Sequence, residues 1–148
     1  MPVEAPSGVM DDDGFTSMGD TVRVRVEGDL VFIRNYRVMT LVDLHALIDV
    51  YKRVHREQGS LFVMFDCTRS EGMERAARQA LSDSQSKEAF VNATAIFGAP
   101  FAIRTLANMM DRALVGLGKR STGIKFFEGE AQARAYLQKE RERLKAKG

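Results

Sequence analysis

At 148 residues, with 45% apolar and 28% charged side chains, the chain is long enough to bury a core without disulfides or metals. One Cys excludes an internal disulfide and fits a reducing compartment. No basic region followed by an apolar run opens the sequence, and no segment approaches about 20 consecutive apolar residues. Neither a secretory signal nor a membrane span is expected, and the expected location is cytoplasmic.

The net charge of +2 is unevenly spread. Glu4, Asp11, Asp12, Asp13 and Asp20 give residues 1–20 a charge of −5, so the remainder carries +7. Residues 138–148 hold five basic and two acidic side chains, read as the solvated end of a terminal helix in preference to a nucleic-acid contact. Residues 1–19, with two of the three prolines and the acidic run, read as a disordered leader, and 20–148 as a single domain.

Order is expected to begin at TVRVRVEGDLVFIRNY. Val22, Val24 and Val26 alternate with Arg23, Arg25 and Glu27, and Gly28-Asp29 supplies turn residues before 30–36. This predicts a β-hairpin with one buried face and solvent-facing arginines, suited to an edge strand. Thr40 then opens a helix, with Asp43 placed to complement its N-terminus, and Gly59 closes it. Leu41, Leu44, Leu47, Ile48, Tyr51 and Val54 share one face of that helix.

LFVMFD (61–66) is a short continuous apolar run, typical of a strand covered on both faces. A helix from Met73 to about Gln85 and a polar stretch, SDSQSKE, lead to a strand at 91–98. Pro100 opens the next helix, whose apolar face is Ile103, Leu106, Ala107, Met110, Ala113, Leu114 and Leu117, with Phe101 and Val115 on its polar side. TGIKFF (122–127) is the last strand, and a final helix turns Ala133, Tyr136 and Leu137 inward. The order β-β-α-β-α-β-α-β-α predicts an α/β fold with a mixed, mostly parallel five-stranded sheet flanked by helices.

With these elements in place, residues from about 21 to 140 resemble the SpoIIAA-like, STAS-related family. Three features carry the resemblance: the element order, the strand ending in Asp at FVMFD, and IKFFEGEAQARAYL with its Tyr136-Leu137 pair. The resemblance implies a SpoIIAA/STAS-like βα superhelix without metal or cofactor. It also implies regulation of the anti-sigma-factor-antagonist type, switched by phosphorylation of a Ser at a helix N-terminus. Some related folds carry lipids.

In that pattern the phosphoacceptor lies about eight to ten residues beyond the strand-ending Asp. Here those places are Glu74, Arg75 and Ala76, none of them a hydroxyl. Thr68 and Ser70 lie nearer the strand as substitute acceptors, but helix capping is the simpler reading for both. Glu74 either imitates a fixed negative charge or complements the helix dipole.

Cys67 fails as a phosphatase-type nucleophile, because the sixth place after it holds Met73 and not Arg. Arg69 and Arg75 still make the loop electropositive and would lower the thiol pKa. A small half-buried residue at a strand end is the favoured reading. His45 and His55 share a helix but sit roughly 80° apart and nearly three turns along it, too far to hold one metal. GLGKRSTG (116–123) lacks phosphate-loop spacing and follows a helix in place of a strand.

The leading expectation is therefore a non-enzymatic interaction module with an unknown protein partner. Its recognition edge would comprise Asp66, Thr68, Arg69, Ser70, Glu74 and Arg75. A carrier of a small apolar molecule, held against the Met-rich helix with Met109 and Met110, is the alternative, and a homodimer is left open.

Overall fold

The computed structural model describes residues 13–80, 91–101 and 124–147, together with residues 104, 105, 108, 109, 112 and 116. Its strands are β1 (Thr16–Met18), β2 (Val22–Glu27), β3 (Leu30–Met39), β4 (Phe62–Met73), β5 (Ala93–Phe97) and β6 (Ile124–Phe127). The helices are α1 (Leu41–Gln58), α2 (opening at 75–80), α3 (helical at 101, 104, 105, 108, 109, 112 and 116) and α4 (Glu130–Lys147). The strands form one sheet in chain order, β1 to β6. β1, β2 and β3 pair antiparallel, and β3 to β6 pair parallel.

The sheet has six strands where five were expected, and the extra one lies in the stretch read as leader. Phe15 is fully buried and Met18 nearly so. They enter the cores on opposite faces of the sheet, while Thr16–Met18 pairs with β2. Averaging composition over an Asp- and Pro-rich stretch hid these two apolar anchors.

Alternation along the strands divides the core. Val22, Val24, Val31, Ile33 and Val63 face α1, whose Leu44, Leu47, Val50, Tyr51 and Val54 pack onto them. Phe32, Phe62, Met64, Ala95 and Phe97 face the other way, toward Ala133 and Leu137 of α4. Both faces of the central strands are thus covered, as the unbroken apolar run of β4 requires. The Pro100 helix's apolar face lies outside the described residues, as do SDSQSKE and most of GLGKRSTG. Phe101 and Met109 are 83% and 61% exposed.

Thr40 caps α1 through Oγ1, which accepts from Asp43 N at 3.2 Å, and Gly59 ends the helix at φ 79°, its N–H donating to His55 O at 2.9 Å. Asp43 does more than complement the helix end. Its carboxylate is 4% exposed, accepts from Thr21 Oγ1, and lies so close to Gly19 (φ 70°) that a Cβ there has no room.

On the α4 face, arginines complete the cover. Expected on a solvent-facing edge, Arg25 instead lies on a strand flanked on both sides, its guanidinium 4.6 Å from the Phe15 ring centroid and 5.4 Å from that of Phe32. α4 is tied to the β2–β3 turn by Arg134, 3.1 Å from Glu27, and by Arg141, 2.6 Å from Asp29. Burial raises the Glu27 carboxyl, but hydrogen bonds from Arg134 and Arg25 outweigh it and hold the group below the usual range.

Candidate functional site

The expected strand end at Asp66 proves to lie inside a long strand, with seven further residues beyond it. β3 runs for ten residues, and its second half offers β4 a partner beyond the point where β5 stops. Asp66 pairs with both Arg34 and Phe97, whereas Arg69, Ser70, Gly72 and Met73 pair only with Tyr36, Arg37, Val38 and Met39. Register shifts between Arg34 and Tyr36 and between Arg37 and Val38 bend this two-stranded extension, and Arg37 takes φ 56°, which is uncommon for a side-chain-bearing residue. Gly98 (φ 71°) turns the chain away directly against Thr68.

This geometry corrects the readings of Thr68 and Ser70. Neither caps a helix, because both lie within β4. Thr68 is exposed, and its N–H and Oγ1 both donate to Asp66 Oδ1, at 3.0 and 2.6 Å. Ser70 is buried, its Oγ accepting from Asn35 Nδ2 at 2.9 Å and from Gly72 N at 3.2 Å. Glu74 precedes α2, yet its carboxylate accepts from Leu41 N at 2.6 Å, so the N-terminus it complements is that of α1.

Where β5 turns away, a cleft of about 530 Å³ opens, lined by Asp13, Arg23, Arg34, Asn35, Tyr36, Asp66, Thr68 and Arg69. A neighbouring depression of about 360 Å³ shares Arg23 and Tyr36 and adds Ser17, Gly19, Asp20, Val22 and Arg37. Of the expected recognition residues, Asp66, Thr68 and Arg69 line the main cleft. Ser70 is joined to its Asn35, and Glu74 and Arg75 stand apart at the helix starts. Sequence reading missed Asp13, Arg23, Arg34, Asn35 and Tyr36. The signal available was RNYR (34–37), a polar interruption in an otherwise apolar strand.

Arg34 organises the cleft. Its Nη1 lies 3.0 Å from Asp13 Oδ2 and its Nε 3.8 Å from Asp66 Oδ2, while its guanidinium covers the Phe15 ring at 4.1 Å. Partial burial lowers its pKa, but Asp13, Tyr36 and Asp66 more than offset this and fix the charge. Arg23 lies over the Tyr36 ring at 5.3 Å. Three guanidiniums thus face two carboxylates, and the walls suit planar anion recognition.

Cys67 points away from this cleft chemistry, packing with Ile96 and Ala99. Burial, with Asp66 adding to it, pushes its thiol from 9.0 up to about 12, so it stays protonated at neutral pH. This corrects the expectation that Arg69 and Arg75 would lower it. Because the folded-state value is the higher one, this contribution to stability is full below about pH 9 and is lost as pH rises toward about 12. Cys67→Ala is therefore expected to flatten the fall in Tm between about pH 9 and pH 11 relative to the native chain. Buried Tyr51, also shifted upward, contributes equally to both curves. Parallel Tm curves for the two proteins would refute the assignment.

Among the described residues, no group of three His, Cys, Asp or Glu is placed to hold a metal ion, and no helix is long and apolar enough to cross a membrane.

The architecture is that of a SpoIIAA-like, STAS-type fold: a mixed sheet flanked by helices, its parallel part built by successive βα units. Solved structures that share it include the following two. One is an uncharacterized protein of the DUF3478 family with a SpoIIAA-like fold from Shewanella loihica PV-4, 17% identical, with a TM-score of 0.51 over 78% of this chain and 91% of that one. The other is the anti-sigma factor antagonist SpoIIAA in its unphosphorylated form, 13% identical, with a TM-score of 0.52 over 80% of this chain and 97% of that one. No protein-family model and no curated protein sequence matches the chain.

Proposed function

We propose that this protein is a non-enzymatic interaction module, regulatory in the manner of an anti-sigma-factor antagonist but without the usual phosphoacceptor serine. The observation that carries the reading is the arginine-lined cleft beside the second half of β4, continuous with the exposed Arg69 and close in sequence to the exposed Arg75. Among the described residues its lining holds no His, Cys or Lys, and the carboxylates of Asp13 and Asp66 are engaged by Arg34. That composition suits recognition better than proton transfer or nucleophilic attack. The likeness in fold to an anti-sigma factor antagonist supports the regulatory class. The apolar-carrier alternative draws no support from the two described clefts, whose linings are mainly polar.

Affinity capture from a native-source lysate tests the reading. The unmodified chain is expected to recover a specific protein partner. Arg69→Glu and Arg75→Glu, both exposed, should reduce recovery by about tenfold without lowering Tm. Recovery of no partner by the unmodified chain, or equal recovery by both charge reversals, counts against it.

A further inference from the structure

The chain already seats one of its own acidic residues in the cleft. Asp13 presents its side-chain Oδ2 to Arg34 Nη1 at 3.0 Å, and its backbone carbonyl accepts from Arg25 Nη1 at 2.7 Å. One guanidinium reads a carboxylate and a second reads the peptide group of the same residue. This is how an arginine site recognises an acidic peptide, as distinct from a free anion. From this we infer that the cleft is a docking site for an acidic segment of a partner protein, whose carboxylates displace Asp13 from Arg34. The inference rests on the interaction-module reading and names the chemistry of its partner.

Three further observations agree. The Asp13–Arg34 pair is lopsided, the Asp13 side chain being 65% exposed and that of Arg34 27%. Exposed pairs of this kind are weak, so a ligand with several carboxylates can replace the single internal one. Among the described lining residues, displacing Asp13 leaves Asp66 as the remaining carboxylate beside Arg23, Arg34 and Arg69. Asn35, 5% exposed, lies in the lining with its Nδ2 held by Ser70 and its Oδ1 without a hydrogen-bond partner among the described residues. A buried acceptor left unpaired is costly, and a peptide brings backbone N–H donors as well as carboxylates. A simple inorganic anion at neutral pH offers far less of that second function.

The test uses the full chain and a fluorescein-labelled hexa-aspartate peptide, followed by fluorescence anisotropy at low ionic strength. Saturable binding that weakens as salt rises is expected. Arg69→Gln should weaken it about fivefold or more, as should Arg34→Gln. Asp13→Asn should strengthen it about threefold, because the internal competitor is gone. Arg34 also covers Phe15, so Arg69→Gln, on an exposed side chain, is the deciding variant if Arg34→Gln lowers Tm.

A labelled hexa-lysine peptide is expected not to bind. Absence of hexa-aspartate binding by both the unmodified chain and Asp13→Asn overturns the inference, as does equal affinity in Arg69→Gln. Displacement of the peptide by low-millimolar inorganic phosphate also overturns it, since the site would then take any anion. If a partner is captured from lysate and excess hexa-aspartate does not release it, the interaction module stands and the cleft assignment falls. If hexa-aspartate binds with this pattern but no partner is captured, the cleft assignment stands and the module reading falls.

Discussion

Phe32→Ala is expected to destabilise the fold by about 3–5 kcal/mol, enough to remove a large part of a domain's total stability. Phe32 is 1% exposed at the centre of the α4 face. It meets Phe15 edge-on at 5.0 Å and Phe97 at 6.0 Å, and Arg25 and Arg134 lie over it, each at 5.4 Å from its centroid. Truncation removes the ring around which these groups pack, and the stretched guanidiniums cannot collapse into the void without leaving Glu27. Part of the loss is the transfer term for the missing atoms, and the rest is the cavity. Phe15 loses its principal ring partner, so β1 and the adjoining Asp13 contact on Arg34 should loosen first.

Urea unfolding followed by far-ultraviolet dichroism reads the effect as a fall in midpoint at unchanged slope. Phe32→Leu, which keeps apolar volume, should recover more than half of the loss. A loss below about 1 kcal/mol for Phe32→Ala would show that the arginine cover does not seal this face.

Gly98→Ala is expected to destabilise the fold by roughly 2–4 kcal/mol. Two effects combine. Gly98 sits at φ 71°, where an L side chain is strained. A Cβ built there would also lie 2.5 Å from Thr68 Oγ1 and 3.2 Å from the Thr68 N and Cα. The hydroxyl can swing aside only by giving up its hydrogen bond to Asp66 Oδ1, and the backbone atoms cannot move without shifting β4. Thermal unfolding should show the loss, and hexa-aspartate binding should weaken in the folded fraction because Asp66 and Thr68 line the cleft. By contrast, nothing lies within 4 Å of a Cβ at Gly28, so Gly28→Asn, which tolerates the left-handed conformation, is expected to be nearly neutral. Similar Tm values for Gly98→Ala and Gly28→Asn would remove the case for a close approach at Gly98.

The sequence carried the local signals that need only a few neighbouring residues. Thr40 and Gly59 mark the ends of α1 because capping is a local hydrogen-bonding problem. The Val22–Val24 alternation, the apolar run of β4 and the inward Ala133 and Leu137 were legible because burial has a period set by backbone geometry. A short apolar pair such as Phe15 and Met18 has no period to detect inside an acidic stretch, so β1 was missed.

The candidate site was half legible. Asp66, Thr68 and Arg69 stand together in the chain, where a strand-to-helix crossing draws attention. Their partners Arg23, Arg34, Asn35 and Tyr36 lie well over twenty residues away and enter only through the pairing of β2, β3 and β4, while Asp13, just before β1, is held by Arg34 and Arg25.

By itself, then, the sequence determined β2, β3, the first half of β4, β5, β6 and the helices α1 and α4, where α1 is capped, and which faces of those elements are apolar. Those properties follow from side-chain chemistry over a few residues. Only the tertiary structure decided that β4 continues past Asp66 to Met73, because a strand extends as far as a neighbour offers unpaired N–H and C=O groups, and the second half of β3 does so. That extension takes Thr68 and Ser70 out of the helix caps expected for them and brings Arg69 to the cleft that Arg23 and Arg34 also line. Register between strands distant in sequence is a property of the assembled sheet, and so is the charge that the cleft presents.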